Sequence, residues 1–336
     1  MNTLAIVTIC LSFVFAFING MHDGSNVTAT AIGSRSITPK RALAIACLAE
    51  FAGGTLLGTA VAKTVGTGVI QREAMLGADS RTAMVFVLGA IVGAIAWNIL
   101  TWILALPSSS SHAIIGGLIG AGIMAFGWDS VVWKSVLIKV VLFMFLSPII
   151  GFVVGYIVFG VMSYLFRGMK RKVEGEISGV QNYTLALLSF VYGSNDAQKS
   201  MGLIAMVLAM ATGAGEFSVP FWAMIGCAAA LAIGTVSGGL NMIRTIGMKI
   251  YRIHPSQSFA CHLTVILVLG AATLIGAPIS TTQLITATVM GVGSETNKRR
   301  VNWGVFGKVI VSWFTTIPAA GLVGAGVFFL LRLILL

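Results

Sequence analysis

Apolar runs fill most of the chain, and its organisation is set by where they are interrupted. The first run, residues 4–18, meets Gly20-Met21-His22-Asp23-Gly24-Ser25-Asn26 and resumes over 27–32. Glycine and polar residues there predict a membrane span over 2–19, an unwound break at 20–25 and a short helical continuation. A second span is expected over 42–62, carrying Glu50, and a third over 82–106, separated by a loop holding Gln71, Arg72, Glu73, Asp79 and Arg81. The third run stops at Pro107-Ser108-Ser109-Ser110-Ser111-His112. Residues 113–126 follow, too few to cross a hydrocarbon core of about 30 Å comfortably. Residues 131–166 are apolar for longer than one span needs and contain Ser147-Pro148, which predicts a kinked, tilted or double element.

The hydrophilic stretch 167–182 (RGMKRKVEGEISGVQN) divides the chain, and beyond it the same events recur. Gly193-Ser194-Asn195-Asp196-Ala197-Gln198-Lys199 interrupts an apolar run; spans are expected over 219–240 and 259–276, with Arg244, Lys249, Arg252 and His254 between them. Pro278-Ile279-Ser280-Thr281-Thr282-Gln283 makes another interruption, 284–292 resumes, and 303–336 closes the chain with Ile317-Pro318 inside it. Three landmarks test for duplication. Asp23 and Asp196 are 173 positions apart, Pro107 and Pro278 171, Pro148 and Pro318 170. A drift of three residues over three unrelated landmarks predicts two repeats, 1–166 and 183–336, joined by the linker 167–182. The expected fold is an all-α polytopic membrane protein of two repeats, inverted relative to each other, with broken helices and roughly 10 to 12 transmembrane segments. The basic linker reads as cytoplasmic, and inverted halves would leave both termini outside.

Composition supports this class. With 57% hydrophobic and 9% charged residues and a mean hydropathy of +0.97, a soluble fold could not bury its apolar surface. The net charge of +11 marks loops near anionic lipid, since no interleaving of basic and aromatic residues suggests nucleic acid. Cys10, Cys47, Cys227 and Cys261 lie in apolar runs without CxxC spacing and read as packing residues. The N-terminal run lacks a basic flank and a small-residue cleavage site, so it is expected to be the first span.

The chemistry sits at the interruptions. Helix N-termini expose N–H groups that attract anions, and Ser109, Ser110 and Ser111 ahead of one helix, like Ser280, Thr281 and Thr282 ahead of another, suit an oxyanion. Helix capping alone would also use such residues. Asp23 and Asp196 are costly within a membrane unless they bind a cation or proton or pair with a base, for which Lys199 is in reach of Asp196. Two acids beside an oxyanion repel it unless cations intervene, which predicts coupling to sodium or protons. Asn26, Asn195 and Gln198 offer neutral oxygens suited to sodium, and Glu50 is a second-tier cation or proton ligand. His112, and less so His262, could carry a proton; each reads more readily as a satisfied packing residue, His262 above all. An intramembrane hydrolase using Asp23, His112 and one of the serines 108–111, and a passive anion channel, are rivals from other classes.

These segments resemble the inorganic phosphate transporter (PiT) family, whose signature occurs once per half. Gly20 to Asn26, with Gly33-Ser34, is similar to the first copy, and Gly193 to Lys199, with Met201-Gly202, to the second. Pro107 to His112 with Ala113-Ile114-Ile115-Gly116-Gly117, Pro278 to Gln283 and Ile243 to Ile250 also resemble the family. His22 stands where the family usually has Asn, Gln283 where it has His, and His262 replaces its usual acid. The resemblance implies a non-enzymatic, multi-pass plasma-membrane symporter of phosphate, with sulfate or another tetrahedral oxyanion as the alternative. It further implies sodium or proton coupling, no bound cofactor, and cation and anion sites at Asp23, Asn26, Asn195 and Asp196. The expected substrate ligands are Ser109, Ser110, Ser111, Asn195, Lys199, Ser280, Thr281 and Thr282; Asp23, Asn26, Asn195, Asp196 and Glu50 take the cation, with sodium at Asp23 and Asp196. His112 and Gln283 are candidates for proton transfer or gating. The expected partners are phosphate, the coupling cation and the lipid bilayer, and the sequence leaves a homo-oligomer open.

Overall fold

The computed structural model describes residues 3–104, 106, 108–166, 170–212, 217–238 and 251–336. Pro107, the first linker residues 167–169, and the 243–250 stretch with Arg244 and Lys249 lie outside the described residues. Among the described residues every named element is a helix. The first half holds α1 (Thr3–Gly33), α2 (Pro39–Leu56), α3 (Ala60–Thr67), α4 (Arg72–Gly77), α5 (Ser80–Ile103), α6 (Ser110–Phe126) and α7 (Trp133–Leu165). The second holds α8 (Lys170–Thr212), α9 (Phe221–Ser237), α10 (Pro255–Leu274), α11 (Thr281–Asn297) and α12 (Trp303–Leu335).

The halves exchange partners. Helix α1 packs on α9 while its counterpart α8 packs on α2; α6 packs on α12 while its counterpart α11 packs on α7. This reciprocity is the arrangement that two related repeats adopt when each completes the other's core. Five described helices are long and apolar enough to cross a membrane, or six if α2 and α3 form one broken span. That is fewer than ten to twelve. At 17 residues, α6, α9 and α11 are each about 25 Å long, and in the long helix α8 the apolar sequence, though not the helix, is interrupted in mid-length by a polar cluster.

Two expectations about continuity are corrected. Helices α1 and α8 run unbroken through residues 20–25 and 193–200. Their glycines serve close approach: a Cβ at Gly20 would collide with the Leu231 carbonyl on α9, and one at Gly193 with the Glu50 backbone on α2. The polar linker likewise continues as helix from Lys170. Conversely, the second span, expected as one element, bends by 71° between α2 and α3, where Gly58 takes a φ of 80°. Helix α7 is a single element: Pro148 lies inside it without ending it, and a π-helical stretch occupies Val136–Val141.

The remaining interruptions are breaks as expected. Helices α5 and α10 stop at Ile103 and Leu274, and α6 and α11 begin at Ser110 and Thr281. The four cysteines are unpaired, with Cys227 and Cys261 buried.

Candidate functional site

A buried polar centre forms where the middles of α1 and α8 meet the N-termini of α6 and α11. Each of those N-termini is capped in the same way. The Ser109 hydroxyl accepts from the His112 N–H (3.2 Å) and the Ser280 hydroxyl from the Gln283 N–H (3.3 Å), so His112 and Gln283 occupy equivalent positions one turn into their helices. Capping satisfies one exposed amide per helix and leaves the other first-turn amides available to an anion.

Because α1 is continuous, Asn19, His22, Asp23 and Asn26 fall at helical spacing on one face. Asp23 is the hub. The Ser110 hydroxyl, from α6, bonds to its carboxylate and lies 2.7 Å from Asn19 Oδ1. The Thr282 hydroxyl, from α11, donates to Asp23 Oδ1 at 2.8 Å and accepts from Asn26 Nδ2 at 2.7 Å. Asn26 Nδ2 is also 3.3 Å from Asp23 Oδ1, and His22 Nδ1 is 2.8 Å from the same oxygen. On its other side His22 Nε2 faces the hydroxyls of Thr101 at 3.3 Å and Ser108 at 3.4 Å. One carboxylate thus takes a hydroxyl from each half's interrupted helix.

The duplicate acid is held differently. Asp196 forms an ion pair with Lys199 one turn later, both fully buried. Asn19 Nδ2 reaches the Asp196 carbonyl at 3.5 Å, linking the two motifs. Asn195 donates to the Thr273 hydroxyl at 2.9 Å and the Ala277 carbonyl at 3.3 Å, tying α8 to the second break. The Ser111 hydroxyl donates to the Ile279 carbonyl at 3.1 Å, joining the two breaks to each other. Thr281 is buried beside Thr282. Glu50 Oε2 accepts from the Thr235 hydroxyl at 2.6 Å, beside the α2–α8 contact at Gly193.

Two sequence candidates are engaged in structural bonding. Gln198 Oε1 accepts from the Val61 and Ala62 amides at 2.8 and 3.3 Å, so it caps α3 and its oxygen is taken. His262 uses both ring nitrogens, each 2.9 Å from the hydroxyls of Thr30 and Thr184, bridging α1, α10 and α8. Asn19, Thr273 and the active part played by His22 were missed from sequence. For Asn19 and His22 the signal was the helical spacing 19, 22, 23, 26, which an assumed break at Gly20 hides; Thr273 carried none.

Several buried polar atoms lack a partner among the described residues: Asn26 Oδ1, Asn195 Oδ1, Asp196 Oδ2, Glu50 Oε1, His112 Nδ1 and both polar atoms of the Gln283 amide. Five of these are oxygen acceptors, each left at a cost of about 1–3 kcal/mol. No group of three or more His, Cys, Asp or Glu residues with metal-binding geometry occurs among the described residues. The acceptor set consists of amide and carboxylate oxygens without thiolates, which suits a hard monovalent ion or a proton better than a soft transition metal.

A multi-pass helical membrane protein of two repeats, with capped helix ends and buried acids gathered between them, is the class these features define. A family model described as "Phosphate transporter family" matches residues 19–175 and again 166–324, and the chain belongs to that family. The chain is 40% identical over 97% of its length to a probable low-affinity inorganic phosphate transporter of Rhizobium meliloti (strain 1021), covering 96% of it. It is 37% identical over 99% of its length to a protein of the same description from Bacillus subtilis (strain 168), covering all of it. A solved structure described as the sodium-dependent phosphate transporter superposes with a TM-score of 0.90 at 26% identity, covering 99% of this chain and 100% of that one.

Proposed function

We propose that the chain is a secondary active transporter that carries inorganic phosphate across the membrane together with sodium or protons, by alternating access about the Asp23 centre. The observation that carries this reading is the pair of hydroxyls, Ser110 from one half and Thr282 from the other, that converge on Asp23. In this conformation the carboxylate occupies donors that an oxyanion at the α6 and α11 N-termini needs. A sodium ion or proton taken up at Asp23 weakens that hold and releases the donors to phosphate. Coupling follows from this competition: without the cation, anion and carboxylate contend for the same hydroxyls.

In this scheme Ser109, Ser110, Ser111, Ser280, Thr281 and Thr282 receive phosphate with Asn195, and Lys199 contributes charge when Asp196 is otherwise neutralised. Asp23, Asn26, Asn195, Asp196 and Glu50 offer oxygens to the cation, four of them supplying an acceptor that is now without a donor. His112 and Gln283, equivalent within their helices, gate the two anion-binding ends. The repeats 1–166 and 183–336 are inverted, the linker 167–182 is cytoplasmic and both termini lie outside. Sulfate is the competing substrate.

The protein is not an enzyme on this reading. Ser108, His22 and Asp23 do stand in the order of nucleophile, base and orienting acid, but Ser108 is 2.8 Å from Thr101 and 3.4 Å from His22. Asp23 moreover serves three donors, Ser110, Thr282 and Asn26, besides orienting an imidazole. Proteoliposomes decide among the readings. Labelled phosphate is expected to accumulate only under an imposed sodium or proton gradient, with arsenate competing better than sulfate. Flux indifferent to both gradients would mean a channel, and phosphate release from an ester without uptake would mean a hydrolase.

A further inference from the structure

Away from the polar centre, the outer face between α7 and α12 carries a groove made of two hollows of about 350 and 360 Å³ that share Phe152 and Val153. The deeper hollow is apolar, lined by Phe145, Pro148, Phe152, Phe306 and Trp313 among others. The other opens at Tyr156, Ser294, Lys298 and Trp303. From Met144 to Ile157 the groove follows α7 for roughly 20 Å at about 1.5 Å per residue. That is the depth of one leaflet, half of a bilayer about 40–45 Å thick with its headgroups.

The polarity of the groove runs with that depth. Its mouth has the exposed aromatics Tyr156 and Trp303, the residue types that sit at headgroup level. The Trp303 indole N–H donates to the Lys298 carbonyl at 3.1 Å, fixing the rim. Lys298, Arg299 and Arg300 are exposed, and none is ion-paired among the described residues. Glu295 nearby offsets one of three positive charges. The Ser294 hydroxyl lines the mouth, is buried, and has no partner among the described residues. The mouth also lies toward the C-terminal end of α7.

We infer that this groove binds an anionic phospholipid, its acyl chain along Phe152 to Phe145 and its phosphate at Ser294 and Lys298–Arg300. A free phosphate ion would use the mouth alone and leave the apolar hollow without a role. The full chain, purified in detergent, is titrated with phosphatidylglycerol, with phosphatidylcholine and with inorganic phosphate, and its thermal unfolding is followed. Phosphatidylglycerol is expected to raise Tm at concentrations at least tenfold below those phosphatidylcholine requires. The triple variant K298Q/R299Q/R300Q is expected to lose that preference, and Ala287→Phe, at the floor of the apolar hollow, to weaken both lipids together. Equal shifts with the two lipids in the unaltered protein overturn the inference without recourse to any variant. So does a triple variant that keeps the preference, or a shift with inorganic phosphate in the unaltered protein that the triple variant loses, since a shift arising at the Asp23 centre would survive it.

Discussion

Replacing Thr282 with valine removes one hydroxyl and keeps the volume, and the Asp23 centre assigns that hydroxyl two duties whose losses have opposite signs. In the cation-free state it donates to the Asp23 carboxylate at 2.8 Å, a bond to a charged group worth about 1.5–3 kcal/mol. With a cation on Asp23 that bond falls to the neutral range of about 0.5–1.5 kcal/mol, while a bond to a phosphate oxygen regains the charged value. Phosphate binding at saturating cation therefore loses the difference, about 1–1.5 kcal/mol, or roughly a 5- to 10-fold rise in half-saturating phosphate. Cation binding changes the other way. The variant carboxylate has lost a donor that competed with the cation, so half-saturating sodium or proton concentration should fall by a similar factor. The assay is initial uptake into proteoliposomes, with each solute varied at saturating levels of the other. Thr288→Val is the control, because that hydroxyl donates at 2.8 Å to Leu284 of its own helix and touches neither acid. If both half-saturation values stay put, or both rise together with a drop in Tm, the competition between carboxylate and phosphate for Thr282 is refuted.

Asp196→Asn leaves Lys199 charged and fully buried, with an expected loss of about 3–5 kcal/mol in stability. Adding Lys199→Met should restore Tm, and a single variant as stable as the parent would mean that the pair is not structurally required. Asp23→Asn is expected to abolish accumulation driven by an imposed cation gradient while phosphate counterflow persists; loss of both would make Asp23 a folding residue. His22→Asn removes the imidazole 2.8 Å from Asp23 Oδ1 and should shift the driving gradient from protons toward sodium in uptake measurements. An unchanged ion preference would exclude His22 from coupling. Gly193→Ala should drive α8 off the Glu50 backbone and cost about 1–3 kcal/mol, whereas Gly179→Ala on the same helix meets no neighbour and should leave Tm unchanged or slightly raised. Equal melting of the two alanine variants would contradict the packing argument.

The duplication was legible because its markers are local. Proline and a Ser/Thr cap announce a helix start wherever they stand, and the caps at Ser109 and Ser280 recur with the same bond to the residue three places on. Burial of Asp23, Asp196 and Glu50 was legible from the cost of leaving a carboxylate in lipid. The continuity of α1 and α8 was not. A glycine beside polar residues in an apolar run looks the same whether the backbone unwinds or another helix lies against it. The choice at Gly20 is made by Leu231, and at Gly193 by Glu50, residues far away in the chain. Once the break was assumed, the spacing of Asn19, His22, Asp23 and Asn26 lost its meaning and Asn19 dropped from view. The reading of His262 as a satisfied packing residue holds, although its two hydroxyl partners, Thr30 and Thr184, stand on other helices and could not be named from the sequence.

The two halves are alike in position and unlike in charge, and that difference bears on where coupling resides. An offset of 173 residues carries Asp23 onto Asp196 and also carries Asn26 onto Lys199. The same helical position, one turn after the acid, is therefore a neutral amide in the first half and a fixed cation in the second. Asp196 has its counter-charge built in and stays paired within one element. Among the described residues, Asp23 has hydroxyls, an amide and an imidazole as its side-chain partners. A carboxylate already neutralised by a buried lysine gains little from a mobile ion, while one with no lysine or arginine partner among the described residues gains more of the Coulomb attraction in a low-dielectric setting. The mobile cation proposed above is thus drawn to Asp23, the acid that also holds the hydroxyls of both anion-binding helices. On that proposal, duplication supplied two acids, and the exchange of Asn for Lys one turn downstream makes Asp196 the weaker cation ligand of the two and Asp23 the group on which cation and phosphate meet.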